Sequence, residues 1–371
     1  MARLRVLIVD DSAVIRRLVS EALNADLALD VIATAPNGKI ALDKIEQLHP
    51  DAVTLDVEMP VMDGLQTLAE IRKRWPRLPV IMFSTLTERG AKTTIDALSL
   101  GASDYVTKPS NSGKLEEGIA AIRSSLIPKI RALCKSPETD SLAAAPSVAR
   151  SRLSRTRAPA PVKILAIGVS TGGPQALDQI VPRLPANFPV PVVIVQHMPK
   201  IFTRLLADRL SSHSAIRVRE CVPGSTLASG EAWIAPGDFH MTLTRTHGPI
   251  QLETNQGPAE NSCRPAVDVL FRSVAQIYGN STLAVILTGM GSDGLRGCEA
   301  VHEAGGRIFI QDEPSSVVWG MPGAVAHAGL ADKVIPLEEI SREVSRCVEM
   351  SRLPGLASAE AVDDKKTRAL P

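Results

Sequence analysis

Short apolar runs alternate with segments whose apolar residues recur at helical spacing, and the alternation fills two separate stretches of the chain. In the first stretch, Arg5–Val9, Val31–Ala33, Ala52–Leu55, Val80–Phe83 and Asp104–Thr107 read as strands. Val14–Leu23, Gly38–Leu48, Gly64–Arg74, Arg89–Leu100 and Gly113–Leu126 read as the helices between and after them. Strict alternation at that pace predicts a doubly wound, five-stranded parallel sheet with function at the carboxyl ends of its strands. The second stretch predicts strands at Lys163–Val169, Val190–Gln196, Ile216–Arg219, Thr282–Thr288, Arg307–Gln311 and Lys333–Pro336. Its helices fall at Gln175–Arg183, Phe202–Ser211, Pro265–Tyr278, Gly294–Ala304, Ala324–Ala328 and Leu337–Glu349. Glu231–Ala235, Met241–Thr244 and Ile250–Glu253 read as a short antiparallel insertion. The second class is therefore also α/β, Rossmann-like, with a mostly parallel sheet.

Pro128 interrupts the last helical pattern of the first stretch, and 135–161 is rich in Ser, Ala, Pro and Arg with almost no large apolar residues. Lys135, Arg150, Arg152, Arg155 and Arg157 against Glu138 and Asp140 leave that segment at net +3, the charge of a solvated tether. The expected domains are 1–125, a linker over 126–161, a second domain over 162–350, and a polar, Ala-rich, disordered tail over 351–371. A length of 371 residues suits two cores better than one. A formal net charge of +1 gives no reason to expect nucleic acid or an anionic membrane as partner. Six Phe, three Trp and two Tyr leave little material for base stacking, and no helix-turn-helix with a basic face is evident. The scattered Cys134, Cys221, Cys263, Cys298 and Cys347 form no Cys-x-x-Cys pair, so a reducing cytoplasm fits. Met1–Arg5 leads straight into the first strand, and no apolar run reaches membrane-spanning length, so neither signal peptide nor membrane insertion is expected.

Asp10, Asp11, Asp56, Ser84 and Lys108 each fall at the carboxyl end of a predicted strand and should converge on one sheet edge. Any one alone reads as a helix cap or a solvated loop charge; five landing on strand ends read as a site. Three carboxylates repel one another and call for a divalent cation, and oxygen-only ligands favour Mg²⁺. Lys108 is then a point charge able to hold a phosphoryl group beside the metal. Over roughly residues 4–125 the sequence resembles the receiver domains of two-component response regulators. The matching features are Asp10-Asp11, Asp56 with Glu58-Met59-Pro60 and Asp63-Gly64, Ser84, and Tyr105 with Lys108-Pro109. The resemblance implies that Asp56 takes a phosphoryl group from a histidine kinase. It also implies Mg²⁺ on Asp10, Asp11, Asp56 and the carbonyl of Glu58, with Ser84 and Tyr105 as a switch pair and Lys108 as counter-charge.

In the second stretch, Gly168-Val169-Ser170-Thr171-Gly172-Gly173-Pro174 lies between a predicted strand and a predicted helix. A serine there stands proud of the sheet, beside unpaired N–H groups at a positive helix end, although a phosphate-cradling or merely structural turn would look similar. His197 ends the next strand in Gln196-His197-Met198-Pro199, and Asp293 lies past a third in Gly289-Met290-Gly291-Ser292-Asp293-Gly294. A hydroxyl needs a base, and a carboxylate on the far imidazole nitrogen fixes the tautomer. Hence Ser170 reads as nucleophile, His197 as base then acid, and Asp293 as orienter. His240 and Asp268 are rivals, the former as a structural histidine, the latter as a first-turn carboxylate. The Gly-x-Ser-x-Gly string fits the α/β-hydrolase elbow, but those enzymes run serine, acid, histidine along the chain, whereas here the histidine precedes the acid.

That order, and residues 162–350 generally, resemble the catalytic domain of the chemotaxis protein-glutamate methylesterases. The resemblance is carried by Ser170-Thr171-Gly172-Gly173-Pro174, Gln196-His197-Met198, Ala235-Pro236-Gly237-Asp238, Pro265–Phe271, Gly289–Gly294, Gln311-Asp312-Glu313 and Val318–Pro322. It implies Ser170, His197 and Asp293 as the triad, with the backbone N–H of Met290 and nearby Thr171 at the oxyanion hole. It implies methylated chemoreceptors as substrate, deamidation of receptor glutamines, sensory adaptation in chemotaxis, a monomer, and no cofactor for the ester chemistry. The domain order implies inhibition by the receiver until Asp56 is phosphorylated. Two other readings are a phosphate-binding module on the Gly-rich turn and a signalling adaptor with a dead hydrolase domain.

Overall fold

The structure, a computed structural model, describes residues 3–108, 115–134, 160–245 and 248–352. The chain divides into two compact units, Met1–Ala145 and Pro146–Pro371. The tail from 353 and all but the ends of the expected linker lie outside the described residues.

The first unit alternates β1 (Leu4–Val9), α1 (Ala13–Asn24), β2 (Leu29–Ala35), α2 (Gly38–Leu48), β3 (Ala52–Asp56), α3 (Gly64–Arg74), β4 (Val80–Ser84), α4 (Glu88–Ser99), β5 (Asp104–Thr107) and α5 (Leu115–Cys134). Its sheet runs β2-β1-β3-β4-β5 with every pairing parallel. Side-chain caps start the helices: Ser12 for α1, Asn37 for α2, an Asp63–Gln66 capping box for α3 and Thr87 for α4. The core packs Val6, Ile8, Leu18, Val19, Leu23, Ile81 and Phe83 against Ile122, Leu126 and Ile130 of α5. That last contact corrects the expected linker start at 126. The helix runs through Pro128 to Cys134, because the loss of one backbone donor is offset by packing of Ile127, Ile130 and Leu133 on this core.

The second unit contains β6 (Ile164–Val169), α6 (Gly173–Ile180), β7 (Val192–Gln196), α7 (Lys200–His213), β8 (Arg217–Glu220), β9 (Ser225–Thr226) and β10 (Glu231–Ile234). It continues with β11 (His240–Thr244), β12 (Gln251–Asn255), α8 (Val267–Tyr278), β13 (Thr282–Ile286), α9 (Leu295–Glu303), β14 (Arg307–Gln311), α10 (Met321–His327), β15 (Lys333–Ile335) and α11 (Leu337–Met350). Seven strands form a parallel sheet in the order β15-β14-β13-β6-β7-β10-β8. The reading of Glu231–Ala235 as part of an antiparallel insertion is wrong: β10 pairs in parallel with β7 and β8. Ala232, Trp233 and Ile234 are all buried, as a strand inside a parallel sheet requires. The antiparallel insertion is β11-β12-β9, with Leu252, Met241 and Leu243 turned into the core around Val267, Phe271 and Val274.

Candidate functional site

The seven-stranded sheet changes winding direction at β6, with β7 on one side and β13 on the other. The crevice at the carboxyl ends of strands flanking such a switch is where open parallel sheets place ligands. Val169 of β6 is in register with Gln196 of β7, so Ser170 and His197 are the next residues on neighbouring strands, and the His197 N–H donates to the Val169 carbonyl at 3.2 Å. On the other side the Ser170 N–H donates to the Thr288 carbonyl at 3.0 Å. The Ser170 carbonyl accepts from the Gly173 N–H at 2.8 Å and from Nε2 of the buried Gln196 side chain at 2.9 Å. Gly289 must lack a side chain here, since a Cβ would stand 2.8 Å from that of Ser170 and 2.3 Å from Met321 Sδ.

His197 Nε2 donates to Asp293 Oδ2 at 2.7 Å. Asp293 also accepts from the Val267 N–H at 2.7 Å, the Asp268 N–H at 3.1 Å, the Gly294 N–H at 3.0 Å and Asn261 Nδ2 at 3.0 Å. Two of these amides open α8, so the carboxylate sits on a helix N-terminus. Burial alone would raise its pKa, but the His197 ring and these amides outweigh burial and hold it below the usual carboxylate range. Burial likewise opposes charge on His197, yet the Asp293 hydrogen bond and the Cys263 sulfur lift the imidazole to about 9. With its proton held on Nε2, the imidazole keeps a lone pair on Nδ1, and Cys263 Sγ lies 3.5 Å from that nitrogen. The Ser170 hydroxyl forms no hydrogen bond among the described residues.

Thr171 is buried, and its carbonyl accepts from Thr288 Oγ1 at 2.9 Å, which ties the loop after β6 to the loop after β13. Met290 is exposed on the rim, and its N–H donates to no group among the described residues. The rival His240 is buried and spends both ring nitrogens, accepting from the Ala266 N–H at 3.2 Å and donating to the Pro258 carbonyl at 2.9 Å. Asp268 accepts from the Gly297 N–H at 2.7 Å and from Asn261 at 2.9 Å, and burial beside Asp293 raises its carboxyl. Sequence reasoning did not single out Asn261 or Cys263. Asn261 opens, and Cys263 closes, a turn held by reciprocal bonds between Glu260 and Cys263, with Asn261 and Ser262 left-handed at φ 51° and 61°. An Asn-Ser pair is a turn signal, but nothing local shows that this turn folds against His197.

In the first unit the winding reverses between β1 and β3, and there the acidic residues meet. Carboxylate oxygens of Asp10, Asp11 and Asp56 lie within 4.8 Å of one another. Lys108 Nζ stands 2.8 Å from Asp10 Oδ2 and 2.8 Å from Asp56 Oδ1. Burial, with repulsion from Asp10, raises Asp56 to about 6 although Lys108 and the Glu58 N–H pull the other way. Asp10 Oδ2 is buried with the Lys108 ammonium as its polar neighbour, so a lone pair remains for a cation, and the all-oxygen set fits Mg²⁺. The Glu58 side chain points elsewhere, to Arg89 at 3.2 Å, which leaves its backbone carbonyl as the group it could offer. Ser84 Oγ donates toward the Gly90 carbonyl at 3.1 Å, and the Tyr105 ring is buried on β5.

Residues 165–344 match the family model for CheB methylesterase, and residues 6–120 match that for the response regulator receiver domain. A protein-glutamate methylesterase/protein-glutamine glutaminase of Trichodesmium erythraeum is 52% identical over 93% of this chain and 99% of its own length. One from a Nocardioides species is 47% identical over 98% of this chain and 100% of its own. The crystal structure of the CheB methylesterase catalytic domain of Thermotoga maritima is 45% identical, covers 50% of this chain and 98% of its own, and gives a TM-score of 0.49. Among the described residues no helix is long and apolar enough to cross a membrane.

Proposed function

The chain belongs to the family of protein-glutamate methylesterases/protein-glutamine glutaminases that carry a receiver domain, and we propose that it performs that reaction with Ser170, His197 and Asp293. The observation that carries the assignment is the 2.7 Å His197–Asp293 bond, seated one residue past the register that sets Ser170 beside His197. The Ser170 Oγ attacks the carbonyl carbon of a glutamyl methyl ester while its proton passes to His197 Nδ1. The oxyanion is held by backbone donors at Met290 and Thr171. Collapse breaks the bond to the methoxy oxygen, which takes the proton from His197 and leaves as methanol, and a glutamyl ester remains on Ser170. Water, deprotonated by the same nitrogen, releases the free glutamate. A glutamine side chain follows the same course with ammonia as the leaving group. Asp293 keeps the proton on Nε2 and stabilises the imidazolium throughout.

The reaction takes place in the cytoplasm on methylated chemoreceptors, and a histidine kinase supplies the phosphoryl group to Asp56. Asp10, Asp11, Asp56 and the Glu58 carbonyl would hold Mg²⁺, which when bound offsets the charge of the incoming phosphoryl oxygens. Lys108 spans Asp10 and Asp56 and is placed to turn to the phosphoryl group, while Ser84 and Tyr105 register its arrival. Methanol release from methylated receptor, with and without a small-molecule phosphodonor, tests the reading. Turnover should rise with the donor and vanish in Ser170→Ala; turnover that survives that change would exclude Ser170 as nucleophile.

A further inference from the structure

We propose that Cys263 and His197 form a zinc-binding seat at the esterase site, and that zinc bound there switches the esterase off. The inhibition rests on the reading of His197 as the base; the seat itself does not.

The geometry is that of two corners of a tetrahedral site. A zinc ion at about 2.05 Å from an imidazole nitrogen and about 2.3 Å from a thiolate holds those two atoms roughly 3.5 Å apart. Cys263 Sγ and His197 Nδ1 are 3.5 Å apart. The far nitrogen of the ring, Nε2, already donates to Asp293 at 2.7 Å. A carboxylate on the outer nitrogen is the support that metal-bound histidines characteristically have, because it orients the ring and raises its basicity. The three ligand types gather within 4.8 Å of one another, so Asp293 backs the site without leaving its own hydrogen bonds.

The thiol is held in place rather than left on a loose loop. The Glu260 N–H donates to the Cys263 carbonyl at 3.1 Å and the Cys263 N–H to the Glu260 carbonyl at 2.8 Å. Asn261 ties the turn to Asp268 and Asp293, and Arg264 anchors its far end on Asp238. The His197 side chain keeps 12% of its surface exposed and Cys263 is partly exposed, so an ion that sheds water can reach the pair. A sulfur and an imidazole select zinc over magnesium, whereas the oxygen-only Asp10–Asp11–Asp56 cluster has the opposite preference. On binding, a Zn–S and a Zn–N bond form, the thiol proton and the Nδ1 proton of the imidazolium leave to solvent, and water fills the remaining positions. The Nδ1 lone pair that should take the Ser170 proton is then engaged.

Cobalt(II), a spectroscopically visible stand-in for zinc, tests the seat in the full chain with Mg²⁺ present in excess. The wild-type protein should show a thiolate-to-cobalt charge-transfer band in the near ultraviolet that saturates at one equivalent and is displaced by zinc. Cys263→Ser should lack the band. Asp293→Asn should keep it with metal affinity weakened about 10–100-fold, the usual cost of removing an outer-shell carboxylate. In parallel, zinc should suppress methanol release from methylated receptor, a chelator should restore it, and the zinc-treated and untreated rates of Cys263→Ser should be equal. No band in the wild type, or a band that persists in Cys263→Ser, overturns the seat. A band accompanied by zinc-insensitive turnover overturns the switch. A band in a protein that releases no methanol under any condition supports the seat and contradicts the esterase reading instead.

Discussion

In the proposed triad, the buried ion pair between His197 and Asp293 sets the pH at which the site works. Against the burial that opposes its charge, Asp293 and the Cys263 sulfur together lift the imidazole from 6.5 to about 9, which favours the imidazolium by about 3 kcal/mol over that of a free histidine. The nucleophile needs the neutral ring. At pH 7 only about one molecule in a hundred carries it, and at pH 9 about half do, so kcat/KM should climb roughly 50-fold across that interval before levelling. The assay is enzyme-dependent methanol release from methylated receptor at low substrate, corrected for spontaneous hydrolysis, in the absence of phosphodonor. Stability has the opposite sign: the folded pKa is raised, so the His197 contribution is complete below pH 6.5 and is lost as pH rises from 6.5 to about 9. A kcat/KM profile that is flat from pH 7 to 9, or that breaks near 6.5, would refute the claim that this pair governs the base.

Asp293→Asn should shift the rising limb toward pH 6.5 and cut kcat on the order of 10³–10⁴-fold, read in the same pH series. Asn261→Gly keeps the left-handed turn but removes both amide bonds to Asp268 and Asp293; chemical denaturation should show a loss of about 1.5–3 kcal/mol, with kcat reduced and KM little changed. Gly237→Ala would set a Cβ 2.2 Å from the Lys200 nitrogen and 2.6 Å from the Met198 carbonyl oxygen, all rigid backbone just past His197. It should cost about 1–3 kcal/mol by thermal melting and lower kcat through displaced His197. Lys108→Met leaves Asp10 and Asp56 buried together without their cation; the melt of the first unit should lose about 3–5 kcal/mol, and Mg²⁺ should recover more stability in the variant than in the wild type.

Much of this is legible in the sequence, for a physical reason. Parallel strands buried on both faces leave uninterrupted apolar runs, and their ends are fixed by the first charged or small residue. Asp10, Asp56, Ser170 and His197 could therefore be placed on strand ends from the letters alone, and the register of β6 with β7 turned two such ends into neighbours. The same logic failed where packing overrode local signals. Pro128 looked like a helix stop, but Ile130 and Leu133 had a core to reach. Glu231–Ile234 is followed by a tight turn and two antiparallel strands, so its chain neighbourhood suggested a meander while its spatial neighbours were β7 and β8. Asn261 and Cys263 were invisible for another reason. Their roles come from contacts across 32 and 66 residues of chain, and no periodicity or motif encodes a contact of that kind.

The central claim is that Ser170 is a nucleophile activated by His197. A serine-directed fluorophosphonate should label the full chain once, with mass spectrometry placing the adduct on Ser170 and labelling falling by orders of magnitude in His197→Ala. An adduct on another residue, or labelling of Ser170 that is unchanged when His197 is replaced, would contradict it.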